Sequence, residues 1–588
     1  MASTSPGYGI TIRVEGPSAN KPVSAITTAL NSQGAALTAL DIVESSYDRV
    51  VIDITCDTID AEHADRVAKT VSEIPGLTVR KVSDRTFLLH LGGKIEIQSK
   101  VQIKTRDDLS RIYTPGVARV CMAIAEEPSD ARRLTIKRNT VAVVTDGSAV
   151  LGLGNIGPEA SKPVMEGKGL LFKIFADIDV FDIEVGTENV EEFIQTVKMI
   201  APTFGGINLE DIKAPEAFEI ERRLKEELDI PLMHDDQHGT AIISAAALLN
   251  ALELSKKKID KVKIVINGAG AAAISCTRLY QAFGAKRENI VMLDSKGVIR
   301  NDRENLSSEK AEYSTGRNIN TLEEAMKDAD VFIGLSKADV VEPEMLVSMA
   351  KNPIVFAMAN PDPEIAYNIA IATRKDIIMA TGRSDHPNQV NNVLGFPFIF
   401  RGALDVRATT INEEMKLAAV RAISSLAKET IPEEVIEAYG EKNISFGREQ
   451  FIPKPLDPRL IYYVAPAVAK AAMDSGVAKN PIEDWDVYEM ELKNRLGLDN
   501  KLIRNITEKA QRSPKRVVFA EADNIKIIKA KYYDIWKNFD MYNQYIIRRT
   551  HANIVRYINK WCEEQNNKYR NNKTLNESQI NTMITKKQ

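Results

Sequence analysis

Short apolar runs rich in β-branched residues alternate with helical segments from about Lys94 to Met473, and this alternation constrains the fold most. Five such runs are TVAVVTD, KIVINGAG, NIVMLDS, DVFIGLS and IVFAMAN. Runs that are apolar on both faces indicate parallel strands covered by helices on both sides. The sequence therefore predicts an α/β protein. At 588 residues the chain is too long for a single core, so we expect roughly three or four domains.

The first 90 or so residues have a pattern of their own. Strand and helix periodicities predict the order βαββαβ, with strands at 8–14, 37–43, 50–56 and 77–82 and helices at 21–33 and 61–74. This order resembles the ACT domain, a small regulatory fold that commonly binds amino acids at paired interfaces. We predict an ACT-like regulatory domain over residues 1–92 that binds a small-molecule effector. A plain docking or dimerising module is the alternative.

A dinucleotide-binding pattern begins at the strand Val262–Ile266. The strand is followed by G-x-G-x-x-A and then by a helix, which is the setting that a Rossmann-type site requires. The helix N-terminus would present free N–H groups to the phosphates. The predicted cofactor-binding residues are Gly268, Ala269, Gly270, Ala271, Ala272 and, at the end of the next strand, Asp294.

The choice between NAD and NADP depends on few residues. Asp294 favours NAD because its charge would repel a 2′-phosphate, whereas Ser295 and Lys296 would accept one. We expect NAD by a small margin. A second glycine-rich stretch, LGLGNIG at 151–157, also follows a strand. It either lies near the cofactor or substrate or simply forms a tight turn.

Three carboxylates in two apolar, glycine-punctuated segments predict a metal site. Glu210 and Asp211 stand in GGINLEDIKAP, and Asp236 stands in PLMHDDQHGTAI. Burying such groups is costly unless a cation or a proton compensates them, and oxygen donors suit Mg²⁺ or Mn²⁺. On a regular strand Glu210 and Asp211 would point to opposite faces, so the strand must end or twist there. His234 and His238 flank the pair Asp235–Asp236. We interpret both as structural or as lying just outside the metal ligands, because hard ions prefer oxygen.

Bulk composition narrows the class of protein. A net charge of −4 gives no case for nucleic-acid or membrane binding. The amino terminus lacks the pattern of a secretory signal, no apolar stretch is long enough to span a bilayer, and the four cysteines form no C-x-x-C pair. We expect a cytoplasmic protein.

With these segments identified, the chain resembles malic enzyme of the bacterial type over about residues 94 to 480. The resemblance is carried by RIYTPGVA (111–118), VTDGSAVLGLGNIG (144–157), SKPVMEGKGLLFK (161–173), GGINLEDIKAP (205–215), HDDQHGTA (234–241), ANPDPE (359–364), TGRSDHPNQVNN (381–392) and FPFIFRGALD (396–405). It implies oxidative decarboxylation of L-malate to pyruvate and CO₂, with NAD or NADP as acceptor and Mg²⁺ or Mn²⁺ bound. The alternatives are a decarboxylase or dehydrogenase for oxaloacetate or another hydroxy acid, and an inactive effector-binding sensor.

The resemblance also implies residue roles. It assigns the base to Lys168, with Lys173 as a rival, and the acid to Tyr113. It places Asp236 with Glu210 and Asp211 on the metal, and leaves Asp235 to orient Lys168 or to lie just outside the metal site. Asn360 and Asn391 match positions that hold the substrate carboxylate and the cofactor amide.

The cation that pairs with the malate carboxylate is left open. Larger eukaryotic members have an arginine where this chain has Ala149, so Arg383 or a residue of a neighbouring subunit are the candidates. ACT-like folds and this family both tend to self-associate, so we expect a homo-oligomer.

The predicted domains after residue 92 are four. They are a malic-enzyme substrate domain at 93–245, a Rossmann NAD(P)-binding domain at 246–480, a linker with a truncated phosphotransacetylase-like start at 481–530, and an Asn/Lys/Tyr-rich tail at 531–588, partly helical or disordered.

Overall fold

The computed structural model describes residues 4–18, 22–360, 362–440 and 444–497. The chain separates into two units, residues 1–498 and 499–588, and every described residue belongs to the first. The predictions for the phosphotransacetylase-like start and for the tail at 531–588 therefore lie outside the described residues. In the described ranges, no helix has both the length and the apolar character needed to cross a bilayer.

The N-terminal part has the predicted element order. It consists of β1 (Ser5–Pro17), α1 (Pro22–Gln33), β2 (Ala36–Ser45), β3 (Arg49–Thr58), α2 (Ala61–Ser72) and β4 (Thr78–Asp84). The four strands form an antiparallel sheet in the order β2-β3-β1-β4. Alternate apolar residues such as Ile12, Ile54 and Val67 form a separate core. The opposite face is polar, with Arg13 paired to Asp53 at 2.7 Å.

A parallel sheet carries the next part of the chain. The elements are α3 (Arg85–His90), α4 (Arg106–Ile112), α5 (Gly116–Glu126), α6 (Ala131–Leu134), β5 (Thr140–Thr145), α7 (Pro158–Ala176), β6 (Asp179–Glu184), α8 (Val190–Ile200), β7 (Gly206–Leu209), α9 (Glu216–Glu227), β8 (Leu232–His234) and α10 (Asp235–Ser255). The strand order is β6-β5-β7-β8, and all neighbours are parallel. The carboxyl ends of β5, β7 and β8 therefore meet at one edge.

The second parallel sheet follows α10. Its elements are β9 (Ile264–Asn267), α11 (Ala271–Ala282), β10 (Ile290–Asp294), β11 (Gly297–Val298), α12 (Ser308–Glu312), α13 (Leu322–Met326), β12 (Val331–Gly334), α14 (Pro343–Ser348), β13 (Ile354–Ala357), α15 (Tyr367–Thr373) and β14 (Ile378–Thr381). The order is β11-β10-β9-β12-β13-β14, parallel except for β11. The predicted α/β class, with a Rossmann-type sheet, is confirmed.

Helix α10 joins the two sheets. Most of its residues are buried, and it packs against α11 within a core shared by both parts. The boundary that the sequence places between 245 and 246 thus falls inside one continuous helix. The sequence of α10 is apolar on nearly all sides of the helix, so its periodicity does not show which face contacts which sheet. A domain boundary inside such a helix cannot be read from the pattern.

Five helices complete the described chain: α16 (Phe396–Asp405), α17 (Glu413–Leu426), α18 (Glu433–Tyr439), α19 (Leu460–Asp474) and α20 (Trp485–Arg495). The linker expected from residue 481 is wrong at α20. Asp484 caps this helix, its Tyr488 and Leu492 are buried, and the Tyr488 hydroxyl donates to Asp405 at 2.9 Å. This helix buries only two residues, so its composition is hydrophilic, and a hydrophilic stretch predicts a linker.

Candidate metal and dinucleotide site

The three predicted metal ligands converge at the carboxyl edge of the first parallel sheet. One carboxylate oxygen from each of Glu210, Asp211 and Asp236 lies within 4.8 Å of the others. Glu210 and Asp211 follow the end of β7, and Asp236 lies in the first turn of α10, directly after β8. The helix N-terminus favours negative charge there. The sheet and the helix therefore bring together two segments that are distant in sequence.

Local backbone geometry explains how two adjacent residues reach one point. β7 ends at Leu209, so neither Glu210 nor Asp211 is within the strand. Asp211 has a φ of 55°, in the left-handed region. Its N–H donates to Asp236 Oδ2 at 2.8 Å, and its carbonyl accepts from Ala149 N–H at 2.9 Å. The predicted end of the strand before Glu210 is confirmed.

The electrostatics of this cluster suit a divalent cation. Burial raises the pKa of Glu210 well above its usual value, and the charge of Lys168 offsets only part of that rise. Burial, and then the charge of Asp236, raise the pKa of Asp211 to about 7. The buried Asp211 Oδ2 has no hydrogen-bond partner among the described residues. A Mg²⁺ or Mn²⁺ ion prefers oxygen ligands, so it fits this donor set. Its charge would reduce the repulsion between the carboxylates, and it would give the buried oxygen of Asp211 a partner.

Lys168, on α7, reaches into the same cluster. Its Nζ lies 2.7 Å from Asp235 Oδ2 and 2.8 Å from Glu210 Oε1, and 4.4 Å above the ring of Phe396. Burial alone would lower its pKa, but the charges of Asp235, Glu210 and Asp236 outweigh burial and raise it above the usual value. Asp235 is fully buried. The predicted contact between Asp235 and Lys168 is present.

Two amides in this network were missed from the sequence. Asn392 donates to Asp235 Oδ2 at 3.1 Å and accepts from the Thr240 hydroxyl at 3.1 Å. Asn208 donates to Glu210 Oε2 at 2.8 Å. Asn208 faces the site from β7, two residues before Glu210, and this period of two was a usable signal. Nothing in the sequence distinguished Asn392 from its neighbour Asn391.

Neither histidine belongs to the group of described residues whose ligand atoms lie within 4.8 Å of one another. His238 lies 2.9 Å from Glu221 and 3.1 Å from Lys416, away from the carboxylates. His234 is fully buried, with Nδ1 3.7 Å from Asp236 Oδ2. Lys173, the rival base, is half-exposed and pairs with Asp177 and Asp179 at 2.6 and 2.9 Å. The structure thus brings Lys168, and not Lys173, to the cluster.

The remaining predicted residues lie outside this hydrogen-bond network. Tyr113 stands between α4 and α5 with 68% of its surface exposed. Asn360 follows β13, and its carbonyl lies close to the glycine loop 151–157, where a Cβ on Gly152 would approach it to 2.8 Å. Asn391 caps a 3-10 turn by accepting from Val393 N–H at 3.0 Å. Arg383 is already paired, at 2.8 Å with Asp385 and 3.3 Å with Asp362.

The dinucleotide pattern forms the predicted strand, turn and helix. Gly268 has a φ of 132°, and a Cβ there would come within 2.4 Å of the Leu335 carbonyl oxygen, so only glycine fits. A Cβ on Gly270 would meet nothing within 4 Å, which leaves the loop open to a ligand. Gly268, Ala269, Gly270 and Asp294 line a cavity of about 940 Å³, while Ala271 and Ala272 begin α11.

Asp294 is engaged by two cations at the edge of this cavity. Arg303 contacts both of its carboxylate oxygens at 3.0 and 2.9 Å, and Lys310 lies at 3.2 Å. Although burial opposes ionisation, the hydrogen bonds from Arg303, Lys296 N–H and Lys310 lower the pKa of Asp294 to about 2. Ser295 and Lys296 also line the cavity. The charge of Asp294, which was the reason to expect NAD, is therefore locally compensated.

Comparisons with known proteins identify the family. Residues 92–225 match the family of malic enzyme N-terminal domains, and residues 237–437 match the family of malic enzyme NAD binding domains. An "NADP-dependent malic enzyme" of Escherichia coli (strain K12) is 54% identical over 440 residues, which are 74% of this chain and 58% of that protein. The chain thus spans less than two thirds of the length of that relative.

Other relatives are covered almost completely. An "NAD-dependent malic enzyme" of Geobacillus stearothermophilus is 51% identical over 474 residues, 80% of this chain and 95% of that protein. Among solved structures, malic enzyme from Pyrococcus horikoshii Ot3 is 43% identical with a TM-score of 0.63, covering 71% of this chain and 96% of that chain. Malic enzyme of Entamoeba histolytica is 31% identical with a TM-score of 0.63, covering 89% and 96%.

Proposed function

The chain belongs to the malic enzyme family, and from that premise we propose that it oxidises and decarboxylates L-malate to pyruvate and CO₂ with reduction of NADP or NAD. The observation that carries this proposal is the convergence of Glu210, Asp211, Asp236 and Lys168. Ala214 and Pro215, which follow Glu210 and Asp211 in the sequence, line the same cavity as the dinucleotide loop. A site that oxidises and then decarboxylates a hydroxy acid needs three things. They are oxygen ligands that hold a cation, a base that takes the hydroxyl proton, and a cofactor that accepts hydride.

Glu210, Asp211 and Asp236 would hold Mg²⁺ or Mn²⁺. When bound, the ion supplies the positive charge that polarises the substrate's hydroxyl and carbonyl oxygens. The three carboxylates, of which Glu210 and Asp211 are buried, would fix its position. Asn208 orients Glu210 by donating to one of its oxygens. The Asp211 N–H does the same for Asp236. These contacts are the supporting hydrogen bonds that orient ligating carboxylates in metal sites.

Lys168 is the proposed base. It is the lysine at the cluster, it is almost fully buried, and Asp235 holds its Nζ in place. The charges of Asp235, Glu210 and Asp236 keep its proton in place. A cation held by Glu210 and Asp236 would offset part of that charge and lower the pKa of Lys168 toward the range in which a lysine accepts a proton. The Phe396 ring excludes water from one side of Nζ. Lys168 would take the hydroxyl proton while hydride passes to the nicotinamide.

Tyr113 is the proposed acid, returning a proton to the carbon from which CO₂ has left. Its phenol is a neutral donor, which suits protonation of an enolate. Asn360 and Asn391 are proposed to hold the substrate carboxylate and the cofactor amide. The closeness of Gly152 to the Asn360 carbonyl supports a place for the loop 151–157 beside them.

For the cofactor we propose a preference for NADP, which revises the small margin for NAD. Arg303, Lys310 and Lys296 surround Asp294, so a 2′-phosphate would meet positive charge there. The relatives include both NADP-dependent and NAD-dependent enzymes, so kinship alone does not decide between the cofactors.

We also propose that residues 1–92 bind a small-molecule effector. The support is the antiparallel sheet β2-β3-β1-β4 with its own core, which is the arrangement that an ACT-like domain would have. Calorimetry of the full chain against amino acids and small carboxylic acids tests this. Heat of binding that coincides with a change in enzyme rate is expected, and an absence of both would remove the proposal.

A substrate panel tests the reaction itself. Initial rates of NAD(P)H formation are measured with malate, tartrate and lactate, together with decarboxylation of oxaloacetate, and the product is identified as pyruvate. Malate should give the highest kcat/KM, with pyruvate and reduced cofactor formed in equal amounts. Faster turnover of another acid would assign the site to a different hydroxy acid. Binding of an effector without turnover of any acid would favour a sensor.

A further inference from the structure

Two arginine side chains of the described chain are half-buried and lack a partner. Arg132 lies on α6, and Arg407 lies two residues after the end of α16. Nη1 of Arg132 and Nε of Arg407 are buried and have no hydrogen-bond partner among the described residues. Leaving a charged donor buried without an acceptor is costly, so such a group requires an acceptor from elsewhere.

The remaining arginines that the described ranges bury or half-bury all have an acceptor. Arg374 contacts both oxygens of Asp376 at 2.9 and 2.7 Å, and Arg459 pairs with Asp457 at 2.7 Å. The others donate in the same way to a carboxylate or to a backbone carbonyl. We call Arg132 and Arg407, which depart from this rule, the arginine pair.

The arginine pair lies at the amino-terminal edge of the first parallel sheet. Arg132, on α6, precedes β5 by a short 3-10 turn. The end of α16 reaches the same place, because a Cβ on Gly205 would lie 2.4 Å from the Lys137 carbonyl oxygen and 3.0 Å from the Leu404 side chain. The predicted metal ligands lie at the carboxyl ends of the same strands, so the length of the strands separates them from the pair.

Hydrogen bonds tie the segments around the arginine pair together. Lys479 N–H donates to the Arg407 carbonyl at 3.3 Å, and the Lys479 ammonium pairs with Asp229, which precedes β8. Lys137 Nζ donates to the carbonyl of Pro202, which precedes β7, at 2.5 Å. The pair is therefore held in a junction of several segments, and not on an isolated loop.

Positive charge dominates around the arginine pair. Burial lowers the pKa of Arg132 below its usual value, the charge of Arg407 lowers it further, and the charge of Asp229 opposes them only in part. Burial and then the charge of Arg132 lower the pKa of Lys137 as well. Asp229 is also paired with Lys479, so these four cations share one carboxylate. A bound anion would reduce the repulsion between them.

A phosphate group fits the free donors of the arginine pair. A guanidinium presents its N–H groups in a plane, and two of them match two oxygens of a phosphate or a carboxylate. A carboxylate brings a single negative charge, whereas a phosphate group carries nearly two and has three or more acceptor oxygens. The excess of positive charge around the pair therefore favours a phosphate group.

We propose that Arg132 and Arg407 bind a phosphate group at the amino-terminal edge of the first sheet. Lys137 and Lys479 border this site and attract the anion. The group is either free inorganic phosphate or the phosphate of a small ester, because both present the same oxygens. The site is separate from the carboxylate cluster and from the dinucleotide cavity, neither of which includes these residues. The inference therefore goes beyond the proposed function and does not depend on it.

Isothermal titration calorimetry of the full chain with inorganic phosphate tests the site. NADP is present at saturation, so that its own phosphates fill the dinucleotide cavity, and divalent cations are left out. Arg132→Met should weaken phosphate binding by roughly 10- to 100-fold, because it removes hydrogen bonds to a charged group. The control is Arg133→Met, one residue further along α6, whose ion pair with Asp130 at 2.9 Å is at the surface. Equal phosphate affinity in the wild-type protein and in Arg132→Met would overturn the proposal.

Thermal unfolding gives a second, independent readout. In potassium chloride, Arg132→Met should melt at or above the wild-type temperature, because the substitution relieves the repulsion with Arg407. In phosphate at equal ionic strength, where the screening of surface charges is unchanged, the melting temperature should rise more for the wild-type protein than for Arg132→Met. Arg407→Met should behave in the same way, so the test still decides if one variant fails to fold. An equal rise in all three proteins would contradict the proposal.

Further ligands identify the source of the phosphate group. Tighter binding of glycerol phosphate than of inorganic phosphate assigns the site to a phosphate ester, and the reverse order assigns it to the free anion. Malonate, a dicarboxylate, is the chemical control, and malonate binding at least as tight as that of phosphate would contradict a phosphate site. An absence of phosphate binding to the wild-type protein would also overturn the proposal, and it is the result expected if a carboxylate of residues 499–588 paired with the two arginines.

Discussion

The ammonium group of Lys168 lies 2.7 Å from Oδ2 of Asp235, a carboxylate with no exposed surface. This contact joins α7 to the first turn of α10 and fixes Nζ beside Glu210. Burying a charge pair costs desolvation free energy, so this pair is weak evidence for a contribution to folding stability. It is better evidence that Lys168 is held in place for a function.

Replacing Lys168 with methionine should abolish most activity and leave the fold intact. Methionine preserves the length and the contact with Phe396 but cannot exchange a proton, so kcat should fall by about 10²–10⁴-fold. The matched control is Lys173→Met, five residues further along α7, whose ion pairs with Asp177 and Asp179 lie at the surface. Steady-state rates decide between the two lysines. Near-normal turnover by Lys168→Met, with a large loss in Lys173→Met, would transfer the role to Lys173.

Asn392→Ala should lower kcat more than it raises KM for malate. The amide donates to Asp235 Oδ2, and a hydrogen bond to a charged group contributes about 1.5–3 kcal/mol, or roughly 10- to 100-fold in rate. Without it, Asp235 and Lys168 would be less well positioned. Asn318→Ala, whose amide contacts Arg300 at the surface, serves as the control. A selective rise in KM would instead indicate that Asn392 binds substrate directly.

The sequence predicted the site best where residues with a specific chemical role lie next to a regular strand or helix. The convergence of Glu210, Asp211 and Asp236 was predicted correctly, because acids in apolar segments at strand ends are rare and parallel strands end at one edge. Gly268 was identified because its turn admits only glycine. Asn392, in contrast, is indistinguishable from Asn391 in a loop, and only the tertiary structure shows which amide reaches Asp235. The exposure of α5 was equally hidden, because its apolar pattern alone predicts a buried helix whereas the structure buries none of its residues.

Arg303→Ser should shift the cofactor preference. Arg303 contacts both oxygens of Asp294, so its loss would remove one cation and leave the carboxylate free to repel a 2′-phosphate. The ratio of kcat/KM for NADP to that for NAD should fall by roughly 10- to 100-fold. Arg300→Ser, which removes a surface ion pair with Asp302, should leave the ratio unchanged. Equal losses with both cofactors would place Arg303 in a structural role.

Asp211→Asn should abolish stabilisation of the fold by Mn²⁺ without destabilising the metal-free protein. Without a cation the buried carboxylates repel one another, so the variant in EDTA should melt at or above the wild-type temperature. Mn²⁺ at about 100 times its Kd should stabilise the wild-type protein by about 2.7 kcal/mol and the variant hardly at all. Differential scanning calorimetry measures both effects, and Asp302→Asn, at an exposed ion pair, should keep the wild-type response. A full Mn²⁺ response in Asp211→Asn would remove that carboxylate from the site.

The central claim is that Glu210, Asp211 and Asp236 hold one divalent cation on which malate oxidation depends. The most direct test is the initial rate of NADPH formation from malate by the wild-type protein, measured first in EDTA and then with Mn²⁺ in excess over the chelator. We expect no rate above background in EDTA and full recovery with Mn²⁺, with pyruvate as the product. An equal rate in EDTA and in Mn²⁺ would contradict the claim.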